Sequence, residues 1–344
     1  MVRLGAMGDI LHALPAVTAL RLAHPAWEID WVVEPRWRAL LSTQDSTSRG
    51  PQQPVVDLLY FAPTKDWRRS PLSKKTTHEI NALRSRLRAV TYNAVIDLQG
   101  ALRSAVIGRL AGCQRFIGED APREAAARFL FTERVATRGA HVIEQDVELA
   151  SAVAGDTLTP VAPTLPVDPA AEAWCDRFLA SSGVRPVALI NPGAGWGAKR
   201  WPVDRYAAAA RGLIERGFRI LVNAGPGEEQ MADVIVQGTS GAAIPLATSL
   251  EQLIALTRRI ALCVAGDTGP LHLACALGRP VVGIYGPTDP SRNGPFGTRF
   301  KVLRSPLSRR DHTRHPEPEE GLLTIAPDDV LRAADELLAE EGVR

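Results

Sequence analysis

Residues 187–202 read VALINPGAGWGAKRWP. Four apolar residues, Val187 to Ile190, end at Asn191, and Pro192, Gly193, Gly195 and Gly197 then build a turn. Behind Pro202 the spacing of Tyr206, Ala210, Leu213 and Ile214 predicts a helix over 203–216, stopped by Gly217. A short apolar run, a glycine turn and an amphipathic helix make a β-α unit whose strand is buried on both faces, as in parallel sheets. The same order predicts strands at 219–223, 260–265 and 280–285, and, in the N-terminal half, at 29–33, 55–61 and 94–98. The fold class is therefore α/β with parallel sheets. A chain of 344 residues is too long for one ordinary core, which argues for two domains. Pro160, Pro163, Pro166 and Pro169 recur every three residues and predict an extended connector. The expected division is 1–158, a linker at 159–170, a second domain at 171–326, and a closing helix at 327–344 able to pack back on the first domain. The polar, Pro-interrupted stretch 305–321 reads as a loop.

Composition narrows the function classes. With 45% hydrophobic and 23% charged residues the chain is that of a globular protein, and a formal charge of +2 supplies no basic field for nucleic acid. Cys113, Cys175, Cys263 and Cys275 are too scattered for a disulfide framework or a zinc ribbon, which favours a reducing cytoplasm. The apolar run after Asp9 contains His12 and Pro15 at helical spacing and reads as a helix, not a leader or a membrane span.

In open parallel sheets ligands bind beyond the carboxyl ends of strands, so the loops there carry most weight. The stretch from Arg3 to Asp9 opens a helix marked by Leu11, Leu14, Val17 and Leu20. Asp9 reads either as a carboxylate satisfying helix-start N–H groups or as a base. A dinucleotide site is the competing reading, with Glu34 as the ribose acid. Against it, Gly5 and Gly8 lack the full Gly-x-Gly-x-x-Gly spacing, and an acid at the helix start repels a pyrophosphate. The turn at 191–202 allows close backbone approach and ends on the cation Lys199. The turn Gly266-Asp267-Thr268-Gly269-Pro270 opens a helix whose free N–H groups suit an anion, with His272 one turn in. Cys263, His272 and Cys275 lack a fourth zinc ligand. After 219–223, Glu228 and Glu229 read either as acids complementing a helix dipole or as a ribose-binding carboxylate.

Four motifs stand in order along the chain: RLGAMGDILHALPA from Arg3, DLQG from Asp97 followed by Arg103 and Ser104, PG…KRWP from Pro192, and GDTGPLH from Gly266. Together they resemble the ADP-heptose:lipopolysaccharide heptosyltransferases, over nearly the whole chain. Arg123-Glu124, His141 to Glu144 and Ser305 to Ser308 look most like the heptosyltransferase I branch. The resemblance implies a GT-B fold, two Rossmann-like domains facing a cleft, with the acceptor on the first and the nucleotide sugar on the second. It implies inverting transfer of heptose from ADP-heptose to a 3-deoxy-octulosonate of the inner core. Asp9 is then the base, and Lys199 the cation that meets the charge developing on the departing diphosphate. Donor contacts carried over are Gly195, Lys199, Glu229 (less so Glu228), Thr248 at the adenine, Asp267, Thr268, Gly269 and His272. Acceptor contacts are Gln99, Arg123 and His141. Other sugar-nucleotide enzymes of the same fold and, more distantly, a dehydrogenase or a non-catalytic nucleotide-binding module remain alternatives.

No cofactor and no metal are expected, because the chain has no Asp-x-Asp pair to hold a cation on a pyrophosphate. The acceptor implied is an acidic, lipid-linked saccharide. Residues 65–88 fit it, with Lys65, Arg68, Arg69, Lys74, Lys75, Arg84, Arg86 and Arg88 against Asp66 and Glu79. The plain alternative is a solvated helix face. Trp67 and Leu72 are candidates to dip toward an anionic membrane, giving a cytoplasmic enzyme peripheral on the inner membrane. In two places the chain departs from the family: only Met1 and Val2 precede Arg3, so a shortened first strand is expected, and the tail has no cysteine group.

Overall fold

The computed structural model describes residues 1–44, 48–180, 185–310 and 315–339, which form two compact units, Met1–Val167 and Asp168–Arg344. In the first, the elements are α1 (Met7–Ala23), β1 (Asp30–Val33), β2 (Leu58–Phe61), α2 (Thr64–Arg69), α3 (Lys74–Arg88), β3 (Val95–Ile96), α4 (Leu102–Leu110), β4 (Phe116–Glu119), β5 (Glu133–Val135) and α5 (Val142–Ala154). All strand pairing is parallel: β1 with β2, and β3 with β4 with β5. Residues 1–4 join the two sets. Val2 bridges Val32 on one side and Asp97 on the other, donating its N–H to Ile96 O at 2.8 Å, while Val32 N–H reaches Met1 O at 2.9 Å. The expected short first strand is thus a central stretch, hydrogen-bonded on both sides.

The second unit contains α6 (Pro169–Ala180), β6 (Val187–Asn191), α7 (Val203–Glu215), β7 (Arg219–Asn223), α8 (Glu229–Gly238), β8 (Ile244–Leu246), α9 (Leu250–Thr257), β9 (Leu262–Gly266), α10 (Gly269–Ala276), β10 (Val281–Tyr285), α11 (Pro290–Asn293), β11 (Phe300–Arg304) and α12 (Pro327–Ala339). Its sheet has the order β11-β10-β9-β6-β7-β8, all parallel. Alternation divides the strands between two faces. Ala188, Ile190, Ile220, Val222, Leu262, Val264, Val282 and Ile284 share a core with Tyr206, Ala210 and Leu213 of α7. Gly217, at φ +89°, ends that helix as expected: its N–H reaches Ile214 O, and Phe218 N–H reaches Leu213 O at 3.0 Å.

Several expectations need correction. The strands β4, β5, β8 and β11 were not foreseen. Glycine interrupts β4, β5 has two charged residues in three, Pro245 sits in β8, and Lys301 and Arg304 break β11; the last three are edge strands, where such residues are tolerated. The connector stays with the first unit through buried Leu165 and Pro166 and a 2.8 Å bond from Val167 N–H to Pro51 O. Asp168 then accepts Ala171 N–H at 2.8 Å, so Pro169 opens α6 instead of extending the linker. The closing helix packs on its own unit and not back on the first domain. Val330, Ala334 and Leu337 complete the α7 core, and Asp335 binds Arg216 at 2.8 Å. The last expected residues of that helix, Glu340 and Glu341, and residues 311–314 of the expected loop lie outside the described residues.

Candidate functional site

In the second unit the chain runs outward from β6 in both directions, to β7 and β8 on one side and to β9, β10 and β11 on the other. The loops after β6 and β9 therefore diverge at a switch point, the place where open sheets form a ligand crevice. Lys199 comes from the first loop and Asp267 from the second. Their side chains form an ion pair, Lys199 Nζ also donates to Asp267 O at 3.3 Å, and it stands 4.4 Å above the Trp196 ring. His272 Nε2 lies 3.0 Å from Asp267 Oδ1. Burial opposes ionisation of Asp267, yet the His272 hydrogen bond and the Lys199 charge hold its carboxyl well below the usual carboxylate range. Thr268 precedes the first turn of α10, where unbonded backbone N–H groups give a positive end.

The strand ends are braced by amides that the sequence reading missed. Asn191 Nδ2 donates to Gly193 O at 3.2 Å and Thr268 Oγ1 at 3.4 Å, while Asn223 Nδ2 donates to Asn191 Oδ1 at 2.7 Å. Of the acid pair, Glu228 is the one turned toward the switch-point loop. Its Oε2 accepts Gly225 N–H at 3.0 Å, Arg200 stands 4.0 Å away, and any side chain at Gly193 would collide with it, an added Cβ lying 1.9 Å from Oε2. Glu229 is on the outer side of the same turn, its carboxyl lowered by the Gly227 N–H. Gly195 is exposed with open space around it, and Thr248 is half-buried just before the α9 cap, beyond edge strand β8. The geometry thus gathers Lys199, Asp267, Thr268, Gly269 and His272, with Glu228 beside them, and leaves Gly195, Glu229 and Thr248 on the margin.

The Lys199 loop is strapped from far along the chain. Ala198 N–H donates to His315 O at 3.0 Å, Glu319 N–H to Ala198 O at 3.2 Å, and the Trp201 indole to Ile325 O at 3.1 Å. Cys263 and Cys275 are buried thiols pushed up by desolvation, and His272 is turned to Asp267. Among the described residues no group of three or more His, Cys, Asp or Glu could hold a metal ion.

The first unit has its own switch point, at residues 1–4 between β1 and β3. Asp9, in the first turn of α1 and 38% exposed, accepts Ala6 N–H on Oδ2 at 2.8 Å, and Arg3 Nη2 is 3.6 Å from Oδ1. Both readings of Asp9 thus have structural support: it satisfies the helix start, and it keeps an oxygen toward solvent. Gln99 Oε1 accepts Leu4 N–H at 2.9 Å, and Asp97 Oδ1 accepts the N–H groups of Gln99 and Gly100 at 2.7 and 2.9 Å. His141 caps α5, its Nδ1 accepting Ile143 N–H at 3.2 Å, and its ring meets His12 edge-on at 5.5 Å. On the next turn of α5 lies Asp146, fully buried, its carboxyl pushed up to about 7 by desolvation. Asp97 is likewise raised by burial.

Arg123 is exposed beside Gly100, while Lys65, Arg68 and Arg69 are exposed on α2, which follows β2 at the same edge of the sheet. Trp67 corrects the membrane expectation. It is buried, its indole N–H donating to Glu79 Oε2 at 2.8 Å, and only Leu72, 95% exposed, points outward. Glu34 is buried too, accepting the Thr64 hydroxyl and Lys65 N–H, so it is engaged within the protein rather than free for a ribose.

The model of glycosyltransferase family 9 (heptosyltransferase) matches residues 80–323. Lipopolysaccharide heptosyltransferase 1 of Escherichia coli K12 is 29% identical over 318 residues, 89% of this chain and 93% of that one. Lipopolysaccharide heptosyltransferase 3 of Escherichia coli is 26% identical over 96% of both chains. The solved structure of the E. coli heptosyltransferase WaaC with ADP superposes with a TM-score of 0.78 at 27% identity, covering 98% of each chain. The fold is accordingly GT-B.

Proposed function

The chain belongs to glycosyltransferase family 9, and from that membership we propose that it moves a heptose from ADP-heptose onto the 3-deoxy-octulosonate of the lipopolysaccharide inner core, as a heptosyltransferase I. The observation that carries the donor half is the Lys199–Asp267–His272 cluster at the positive start of α10, on the switch point of the second unit. A diphosphate there meets a cation and backbone N–H groups together.

The acceptor hydroxyl attacks the anomeric carbon as the bond to the ADP oxygen breaks, inverting the centre, and Asp9 takes the hydroxyl proton. Charge builds on the leaving diphosphate. Lys199 and the first turn of α10 are placed for it, so their contribution is greatest in the transition state and no divalent cation is needed. Asp267 acts through Lys199 and His272, fixing both. The ribose falls to the acids at the start of α8, Glu228 and Glu229, and the adenine to the margin near Thr248. The acceptor's acidic groups meet Lys65, Arg68, Arg69, Arg123, Gln99 and His141. Among the described residues no helix is long and apolar enough to cross a membrane, and we place the enzyme in the cytoplasm, peripheral on the anionic inner face.

The deciding experiment measures ADP release from ADP-heptose with two lipid acceptors, one ending in 3-deoxy-octulosonate and one already carrying a heptose. Preference for the first supports this reading. Preference for the second assigns the chain to a later heptose addition, and release only with a UDP-sugar donor overturns the heptose assignment.

A further inference from the structure

The first unit buries more acid around Arg3 than one guanidinium can neutralise. Arg3 comes from the loop before α1, Asp9 and His12 from α1, Asp97 from the end of β3, Glu119 from the end of β4, and His141 and Asp146 from α5. On the last packed element, β5, Glu133 is held by Arg115 at 2.7 Å and Arg134 stands 3.9 Å from Asp120. Asp97 Oδ1 has two backbone donors and Glu119 Oε1 has the Thr137 hydroxyl at 2.7 Å. Asp146 is different. Its Oδ2 is buried with no hydrogen-bond partner in the protein, and Arg3 Nε and Asp97 Oδ2 are in the same condition. The charge of Arg3 favours ionisation of Asp146, while Asp9, Glu119 and Asp97 oppose it.

We propose that Asp146 is a positioning residue for the transfer reaction, setting through its own proton how firmly Arg3 holds the Asp9 carboxylate. With Asp146 protonated, Arg3 is drawn toward Asp9 and makes it a weaker base. Once Asp146 ionises, Arg3 is divided between two acids and a second negative charge faces Asp9, which strengthens it as a base. The proton that leaves Asp146 goes to solvent, and no bond other than O–H changes. Burial places this exchange near neutrality, with the carboxyl at about 7. The inference rests on Asp9 being the base, so its test needs one arm that is independent of turnover.

That arm is the titration of the aspartate carboxyl carbons by NMR in the intact chain. Asp146 is expected to titrate near neutral pH, to vanish from the spectrum in Asp146→Asn, and to titrate lower in Asp9→Asn, where a facing charge is gone. The second arm is the pH profile of kcat/KM at saturating donor. In the wild type it is expected to rise through neutrality; in Asp146→Asn the rise is lost, and activity at pH 8 is lower by roughly three- to tenfold, what a base about one pH unit stronger contributes. ADP affinity is expected to be unchanged. Asp146→Glu keeps a titrating group and is expected to restore a rise at a shifted pH, which also serves if the Asn variant fails to fold. No carboxyl near neutrality, or one indifferent to Asp9→Asn, overturns the proposal. A rise that survives in Asp146→Asn overturns it too. Normal turnover in Asp9→Asn with the NMR coupling intact overturns the base assignment instead.

Discussion

At the centre of the first unit's sheet, residues 1–4 lie between β1 and β3; at the centre of the second's, β6 lies between β7 and β9. Both sheets grow outward in two directions from that line, and both place their chemistry on the loops that part there. What fills the two places differs. The first has Arg3 among Asp9, Asp97, Asp146 and Glu119, a surplus of acid that raises its buried carboxyls. In the second, Asp267 is held by Lys199 and His272, and the same burial leaves its carboxyl well below the ordinary range. Identical topology thus yields opposite proton affinity, because the neighbours and not the depth decide the sign. One place suits the group that takes a proton, the other an anion that never carries one at neutral pH.

The sharpest break of this contrast is Asp9→Asn. If the first unit supplies the base, turnover falls by roughly 10² to 10⁴ while ADP binding is kept; near-normal turnover of the purified variant removes the distinction between the units. Stability provides the next test. Asp146 has a folded value of about 7 against an ordinary 3.8, so its ionisation opposes folding, a penalty absent below about pH 4 that grows as pH rises to 7. Asp146→Asn is expected to match the wild type in melting temperature at pH 4 and exceed it at pH 8, by on the order of 5 to 10 °C. Equal curves at both pH values mean the acid is not suppressed.

On the second unit, Lys199→Met should weaken ADP binding roughly 10- to 100-fold by calorimetry, the worth of a charge-assisted contact. Unchanged affinity moves the donor elsewhere. Smaller still is the effect of Arg68→Ala with Arg69→Ala. An exposed pair screened by salt should raise the acceptor KM only roughly two- to fivefold and flatten its salt dependence, with donor affinity unmoved. Identical kinetics at two salt concentrations would return α2 to a plain solvated face. Excess chelator is expected to change nothing, since the donor charge is assigned to Lys199 and α10; a loss reversed by magnesium contradicts that.

The parts of the molecule that could be read beforehand are those whose signal is local. Val187–Asn191 and Arg219–Asn223 were legible to the residue because both are central strands buried on both faces, which forces continuous apolar runs. Lys199, Asp267 and His272 each stand in a glycine turn after such a strand, so spacing marked them, although nothing in the sequence says that Lys199 and Asp267 meet. Edge strands such as β8, with Pro245, carry no such pattern. Asp146 was invisible for a different reason. It sits among Ile143, Val147 and Leu149 on a helix with ordinary periodicity, and its significance comes from Arg3, 143 positions earlier. The side-chain brace of Asn191 and Asn223 is equally non-local. Glu228 and Glu229, adjacent in sequence, differ only in which way the turn aims them.

The strap that 315–325 lays over the Lys199 loop has a consequence for local opening. By composition 192–202 is a glycine loop, and such loops ordinarily exchange their amide hydrogens quickly and alone. Here the Ala198 amide is closed by His315 O, the Glu319 amide by Ala198 O, and the Trp201 indole by Ile325 O. These three hydrogens belong to one cooperative opening unit that spans more than a hundred positions of sequence. Deuterium should enter them together, at a rate set by release of the strap rather than by fraying of the glycines, and cleavage of the chain near residue 316 should unlock all three at once.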